Sequence, residues 1–269
     1  MAVRQLRARP VAKIWGRNVL PPPFERFADG TSIGELRFED PGPAAPPLSV
    51  KFLFTGQKMS VQVHPRGEEM GRGGDEAWIV VSAAPGAAVA IGTREPLDRH
   101  RLREGASDGS IEALLDWRPA LAGTAFYSPA GTVHSLGGDL VVLEIREDPA
   151  VTYRLYDFGR PRALHLEQAL AAVLPGNGSA VPAPRSLDGL RELLVAGDRF
   201  VVERWTGPGS CGLAAEAGSR CWIIALAGGA QADDVVLDAG TAWVLEGSSR
   251  LRLQEGSLLI VARPRPGSD

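Results

Sequence analysis

Only four histidines occur in the chain, His64, His100, His134 and His165, and two of them stand in company that can bind a metal. In MSVQVHP, residues 59–65, strand alternation puts Ser60, Gln62 and His64 on one face and Met59, Val61 and Val63 on the other. In DEAWIVV, Glu76 opens an apolar run and shares a face with Trp78 and Val80. In GTAFYSPAGTVH, residues 123–134, Gly123 and Gly131 permit tight turns and Pro129 stiffens the entry. His134 is thereby delivered at the start of a strand. Imidazoles and carboxylates ligate divalent metals, and the amide oxygen of Gln62 is a weaker ligand that favours harder ions. Two histidines, one carboxylate and one amide leave a coordination position open, as a catalytic zinc requires. Each segment alone also fits a solvent-facing strand or a rim charge. His100 and His165 fall in polar, helical or linker contexts and read as structural or surface residues.

The third segment has the spacing G-x5-P-x-G-x2-H, the second signature of the cupin superfamily, a small β-barrel that binds a metal in its mouth. The first cupin signature is met in order by Gly56, Gln62, His64, Glu76 and Gly86, with Gln62 in place of its first histidine. Together with SVQVHP, DEAWIV, PAGTVH, VLEIREDPAVTYRLYDFGR and KIWG at Lys13–Gly16, these motifs resemble the short bacterial form of the type I phosphomannose isomerases. The resemblance runs from about residue 10 to 175. It implies one zinc held by Gln62, His64, Glu76 and His134. It further implies Arg154 over the substrate, Glu144 as a proton-transfer group, Lys51 and Ser60 near the substrate phosphate, and Trp15 near the cleft.

The activity so implied is the interconversion of mannose 6-phosphate and fructose 6-phosphate through a cis-enediol. A metal beside the reacting oxygens stabilises developing negative charge, a carboxylate such as Glu144 can reach a carbon-bound proton, and the Arg154 guanidinium offers a permanently charged donor fork. One departure stands out: the family lysine two residues before the glutamate ligand is Gly74 here, with Arg72 two positions earlier. Two other readings therefore stay open, a catalytically weakened sugar-phosphate binder and another cupin metalloenzyme.

Positioning these residues calls for a mainly β fold with a few short helices. LSVKFLF, MSVQVH, EAWIVVSA, AVAIG, TAFYSP, LVVLEI, FVVERW, CWIIALAG, TAWVLE and SLLIVA are strand-like runs bounded by turn residues. Such a series indicates a sandwich or barrel rather than a parallel α/β sheet. Residues 95–117 suggest two short helices, the second entered through Ser110, and residues 164–174 a third that ends in Pro-Gly. The Pro/Gly-rich stretch after it marks a linker at 175–185. The expected architecture is thus a bicupin: a metal-binding domain over 1–174 and a cupin-like β domain over 186–269. The second domain lacks histidine, so no second metal is expected in it. Trp205, Trp222 and Trp243 read as its core or interface, and Asp148 and Asp157 as loop carboxylates.

Composition narrows the partners. With 269 residues, 44% apolar and 23% charged, the chain can bury a sizeable core. A net charge of -3 gives no reason to expect nucleic acid or an anionic membrane, and no apolar stretch approaches a membrane span. The N-terminal segment lacks a secretory apolar region, and the two cysteines, Cys211 and Cys221, read as reduced thiols. A cytoplasmic location and a small phosphosugar substrate follow as expectations. Nothing in the sequence sets the oligomeric state.

Overall fold

The computed structural model describes residues 3–40, 42, 47–67, 74–148, 151–174 and 181–265. Arg72 and residues 175–180 of the expected linker lie outside the described residues. The N-terminal half contains β1 (Val3–Gln5), β2 (Arg7–Arg17), β3 (Ile33–Glu39), β4 (Leu48–Thr55), β5 (Val61–Val63) and β6 (Glu76–Ala83). It continues with β7 (Ala88–Thr93), β8 (Leu115–Pro119), β9 (Ala125–Ser128), β10 (His134–Leu136), β11 (Leu140–Glu147) and β12 (Tyr153–Tyr156). Its helices are α1 (Arg99–Asp108), α2 (Ile111–Leu114) and α3 (Leu166–Ala172). The C-terminal half holds β13 (Arg185–Ser186), β14 (Arg191–Ala196), β15 (Phe200–Thr206), β16 (Gly209–Ala214) and β17 (Cys221–Ala227). It ends with β18 (Ala230–Ala232), β19 (Val235–Leu237), β20 (Thr241–Leu245), β21 (Ser248–Leu253) and β22 (Leu258–Pro264).

Each half is a pair of facing sheets. In the first, the order β2-β3-β4-β11-β6-β9 faces β12-β5-β10-β7-β8; in the second, β1-β20-β17-β22-β15-β14-β13 faces β16-β21-β18-β19. Strand parity gives every large sheet two apolar faces. On β11, Val141, Leu143 and Ile145 join Phe52 and Phe54 of β4 in a core shared with Val202, Trp222, Ile224 and Ile260 of the other half. The alternate residues Leu140 and Val142 turn inward to meet Trp78, Val80, Ile91, Leu136 and Trp15. Trp205 and Trp243 are buried in the C-terminal half's own core, so its tryptophans are packing residues, as expected.

Four details differ from the sequence reading. Residues 115–117 are strand rather than helix, because Leu115 and Trp117 pair with Thr93 and Ala90 on β7. Met59 does not join Val61 and Val63: the ladder of β5 starts only at Val61, and Met59 packs inward with Leu136 and Trp15. Strand β1 lies in the C-terminal half's large sheet, with Val3 opposite Leu245, although a division at residue 174 assigns it to the other half. Ser110 precedes α2 without a side-chain cap bond, whereas Asp98 caps α1 by accepting the Arg101 N–H.

Candidate metal centre

The inward face of the first half brings three ligand-type side chains together. His64 follows β5, Glu76 opens β6 and His134 opens β10, and their potential ligand atoms all lie within 4.8 Å of one another. All three are nearly inaccessible, at 2%, 1% and 1% exposure. Burial of this kind is costly for polar groups unless they are partnered.

The second nitrogen of each imidazole explains the geometry. His134 Nδ1 lies 2.9 Å from the Thr132 carbonyl, and His64 Nδ1 lies 2.8 Å from the Val151 carbonyl. A carbonyl only accepts, so each Nδ1 carries the proton and each Nε2 presents its lone pair. Those Nε2 atoms sit 3.0 and 3.3 Å from the two oxygens of Glu76, yet none of the four atoms has a hydrogen-bond partner. Lone pairs are thus turned on lone pairs in a buried space, which a proton or a cation relieves. Where a proton takes that place, burial would still raise the Glu76 carboxyl, but the positive charge of the imidazoles, His134 before His64, outweighs it and holds it well below the usual range. Burial would lower His134, and the Glu76 charge reverses that and raises it. The donor set and its four unpartnered atoms fit a divalent cation.

Gln62 lies between His134 on β10 and Arg154 on β12 as the register partner of both, so the three share one face. The Arg154 backbone exchanges two hydrogen bonds with His165, whose Nδ1 accepts the Arg154 N–H at 3.1 Å and whose N–H donates to the Arg154 carbonyl at 2.8 Å. His165 is therefore a structural residue, one of the two roles the sequence reading allowed, and it fixes the strand that carries Arg154. Arg154 Nη1 donates to the Ala163 carbonyl at 2.6 Å, and its Nε is buried without a partner. Burial and the neighbouring Arg162 lower the Arg154 guanidinium from its ordinary value. Asp157 holds Arg160 and Arg162 at 2.6 Å each, which makes it the loop carboxylate expected.

Next to the cluster runs a charged row on the same inward face. Arg37, Lys51, Glu144 and Trp78 are successive register partners across β3, β4, β11 and β6, and Arg146 pairs with Glu76 one row along. Lys51 Nζ lies 2.8 Å from Glu144 Oε1, and Trp78 stands edge-on to His134 at 5.2 Å. Glu35, also buried, gathers Lys13 at 3.2 Å, Arg37 at 2.7 Å and Lys51 at 3.9 Å. Burial pushes the Glu35 carboxyl up, and the three cations, led by Lys51, overcome it and bring it down to about 2. A cavity of about 290 Å³ opens beside this row, bordered by Arg37, Ser49, Lys51 and Arg146.

Glu144 and Lys51 are thus brought together. Ser60 is buried just ahead of β5, and Trp15 is 3% exposed in the inward core, where its carbonyl accepts the Gly56 N–H. Gly74 is buried two residues ahead of Glu76. The sequence reading missed Glu35, Arg37 and Arg146. The alternation in GELRFE, and the two-residue step from Glu144 to Arg146, show which charges share a face, and the register across β3, β4 and β11 shows that the face is the inward one.

A mannose-6-phosphate isomerase of Streptococcus mutans is 38% identical over 177 residues, which cover 61% of this chain and 56% of that protein. The Bacillus subtilis mannose-6-phosphate isomerase ManA is 30% identical over 187 residues, covering 62% and 58%. The chain is a sequence relative of the mannose-6-phosphate isomerases. It spans a little over half the length of the curated relatives it matches, 56% in the first case. The crystal structure of the Bacillus subtilis mannose 6-phosphate isomerase superimposes with a TM-score of 0.79 at 23% identity, covering 97% of this chain and 99% of that one. A zinc-bound mannose 6-phosphate isomerase superimposes with a TM-score of 0.71 at 14% identity, over 98% of this chain and all of that one. The cupin-type β architecture of those isomerases is the fold of this chain. No protein-family model matches it.

Proposed function

We propose that the chain is a zinc-dependent aldose–ketose isomerase that interconverts mannose 6-phosphate and fructose 6-phosphate through a cis-enediol. The observation that carries the reading is the buried trio of His64, Glu76 and His134, with four unpartnered ligand atoms converging in one place. His64, Glu76 and His134 hold the metal in this reading, with Gln62 on the same face as the fourth ligand. When bound, zinc supplies a Lewis acid at the reacting end of the sugar. Glu144 takes the proton from one of C1 and C2 and returns it to the other, and Lys51 holds that carboxylate in place by its ion pair. Arg37, Lys51 and Arg146 meet the phosphoryl charge at the cavity, with Ser60 and Trp15 as further substrate-side residues and Arg154 over the sugar. The two-domain division, at 1–174 and 186–269, belongs to the same proposal, with β1 crossing it to pair in the second half's sheet.

A reducing, cytoplasmic setting is part of this reading, supported by the unpaired Cys211 and Cys221. Among the described residues, no helix is long and apolar enough to cross a membrane. The test is an assay of zinc-loaded protein with either sugar phosphate in deuterated water. Interconversion with solvent isotope at C1 or C2 is the expected result. No turnover and no isotope exchange in protein that carries zinc ends the proposal.

A further inference from the structure

One buried carboxylate near the metal centre is not used by the chemistry above. Asp75, 9% exposed, precedes Glu76 and is held from three directions. Its Oδ1 accepts the Ala130 N–H at 2.9 Å, its Oδ2 accepts the Tyr127 hydroxyl, and its own N–H donates to Glu147 Oε2 at 2.9 Å. Ala130 belongs to the turn that delivers His134. Asp75 therefore ties the approach to one ligand, Glu76, to the approach to another.

Two of these three supports, Tyr127 and Glu147, are gripped by the other half of the molecule. The Tyr127 hydroxyl also meets the backbone of Asp198, its ring lies edge-on to Phe200 at 6.2 Å, and Gly197 packs against it. A Cβ on Gly197 would stand 2.5 Å from the Tyr127 hydroxyl oxygen, so the close approach is available only to glycine. Arg199, in the same turn between β14 and β15, reaches Glu147 Oε1 at 3.4 Å. The short turn 197–199 thus touches the two side chains that hold Asp75.

We infer that the C-terminal half sets the metal centre's geometry: turn 197–199, acting through Tyr127 and Glu147, fixes Asp75 and with it the spacing of Glu76 and His134. Tyr127, Glu147 and Asp75 are positioning residues in this scheme, since none is a ligand. Groups bonded directly to a ligand tune affinity by about 10–100-fold in metal sites, and these three act one step further out, through the backbone of Glu76 and the turn before His134, so the lower end of that range applies. The inference rests on the metal reading given under Proposed function.

Zinc affinity of the full chain, measured by competition with a chromophoric chelator, tests it beside the melting temperature of the metal-free protein. Tyr127→Phe removes the hydroxyl alone, and Gly197→Ala keeps it but displaces the ring. Each is expected to weaken zinc binding about 10-fold. Ile260→Ala loosens the core between the halves away from turn 197–199, and is expected to lower the melting temperature with zinc affinity retained. Unchanged affinity in Tyr127→Phe and Gly197→Ala, or an equal loss in Ile260→Ala, overturns the inference while leaving the metal site standing. A wild-type chain that binds no zinc overturns the metal reading and this inference together.

Discussion

At the scale of single residues, the trio is an arrangement that protein atoms alone leave unsatisfied, since both Nε2 lone pairs oppose Glu76 across 3.0 and 3.3 Å. His134→Ala removes one ligand and the partner of Glu76 at once. Zinc per chain, measured after dialysis against a chelator, is expected to fall to near zero, a larger loss than the ~10–100-fold that an outer partner controls. Glu144→Gln separates the metal from the chemistry: zinc content stays, and isomerisation falls by ~10²–10⁴. Turnover within a factor of two of wild type would remove Glu144 from the role of base. His64, Glu76 and His134 were legible in the sequence because their spacing is local to three short segments. Arg37 and Arg146 were not singled out, because nothing local distinguishes a charge on an inward face from one in solvent until the register across β3, β4 and β11 is known. Asp75 was hidden for the same reason: its partners come from β9, the turn after it and β11.

Among the elements, β3 carries alternating charge inward and apolar residues outward, and Glu35 is where that pattern has an energetic consequence. Its folded value of about 2 lies below the ordinary 4.5, so the folded state favours the ionised form. The associated stability, on the order of 3 kcal/mol, is present above pH 4.5 and is lost as pH falls towards 2. In urea unfolding, Glu35→Gln is expected to be less stable than wild type near neutrality, with the gap closing as acid protonates Glu35. A gap that stays constant with pH contradicts this account. The turn before β10 depends on Gly131, whose φ of +88° is left-handed and whose added Cβ would meet Leu174 Cγ at 2.5 Å. Gly131→Ala is expected to cost ~1–3 kcal/mol in denaturant unfolding and to reduce zinc content, since His134 hangs from that turn. Strong apolar runs such as EAWIVVSA, identical to β6, were read correctly from pattern. Residues 115–117 were misread because helical spacing in a short window is overridden by pairing with β7.

For the whole molecule, the largest core is neither half's own. Phe52, Phe54, Leu143 and Ile145 meet Val202, Trp222, Ile224 and Ile260 between the two large sheets. A chain ended at residue 174 would expose one face of that core, and it is expected to be insoluble or to self-associate, as size-exclusion chromatography would reveal. Trp222, 1% exposed within this layer, should cost ~3–5 kcal/mol when cut to Ala, and the full chain should still unfold in a single transition. The sequence reading of Trp222 as a core or interface residue anticipated the buried wall. It could not anticipate that the wall is shared by residues from nearly every strand of two sheets, because each strand's outward face reads only as apolar.

The placement of β1 bears on how the chain is made. Val3 finds its partner in Leu245, and the Leu6 N–H donates to the Ala242 carbonyl at 2.9 Å. As the ribosome releases the chain, β1 waits for β20, more than two hundred residues later, before it can close its hydrogen bonds. Closing so long a loop carries a large entropic cost and comes late, after more local hairpins have formed. The N-terminal strand therefore works as a clasp, fastening two sheets that have already assembled.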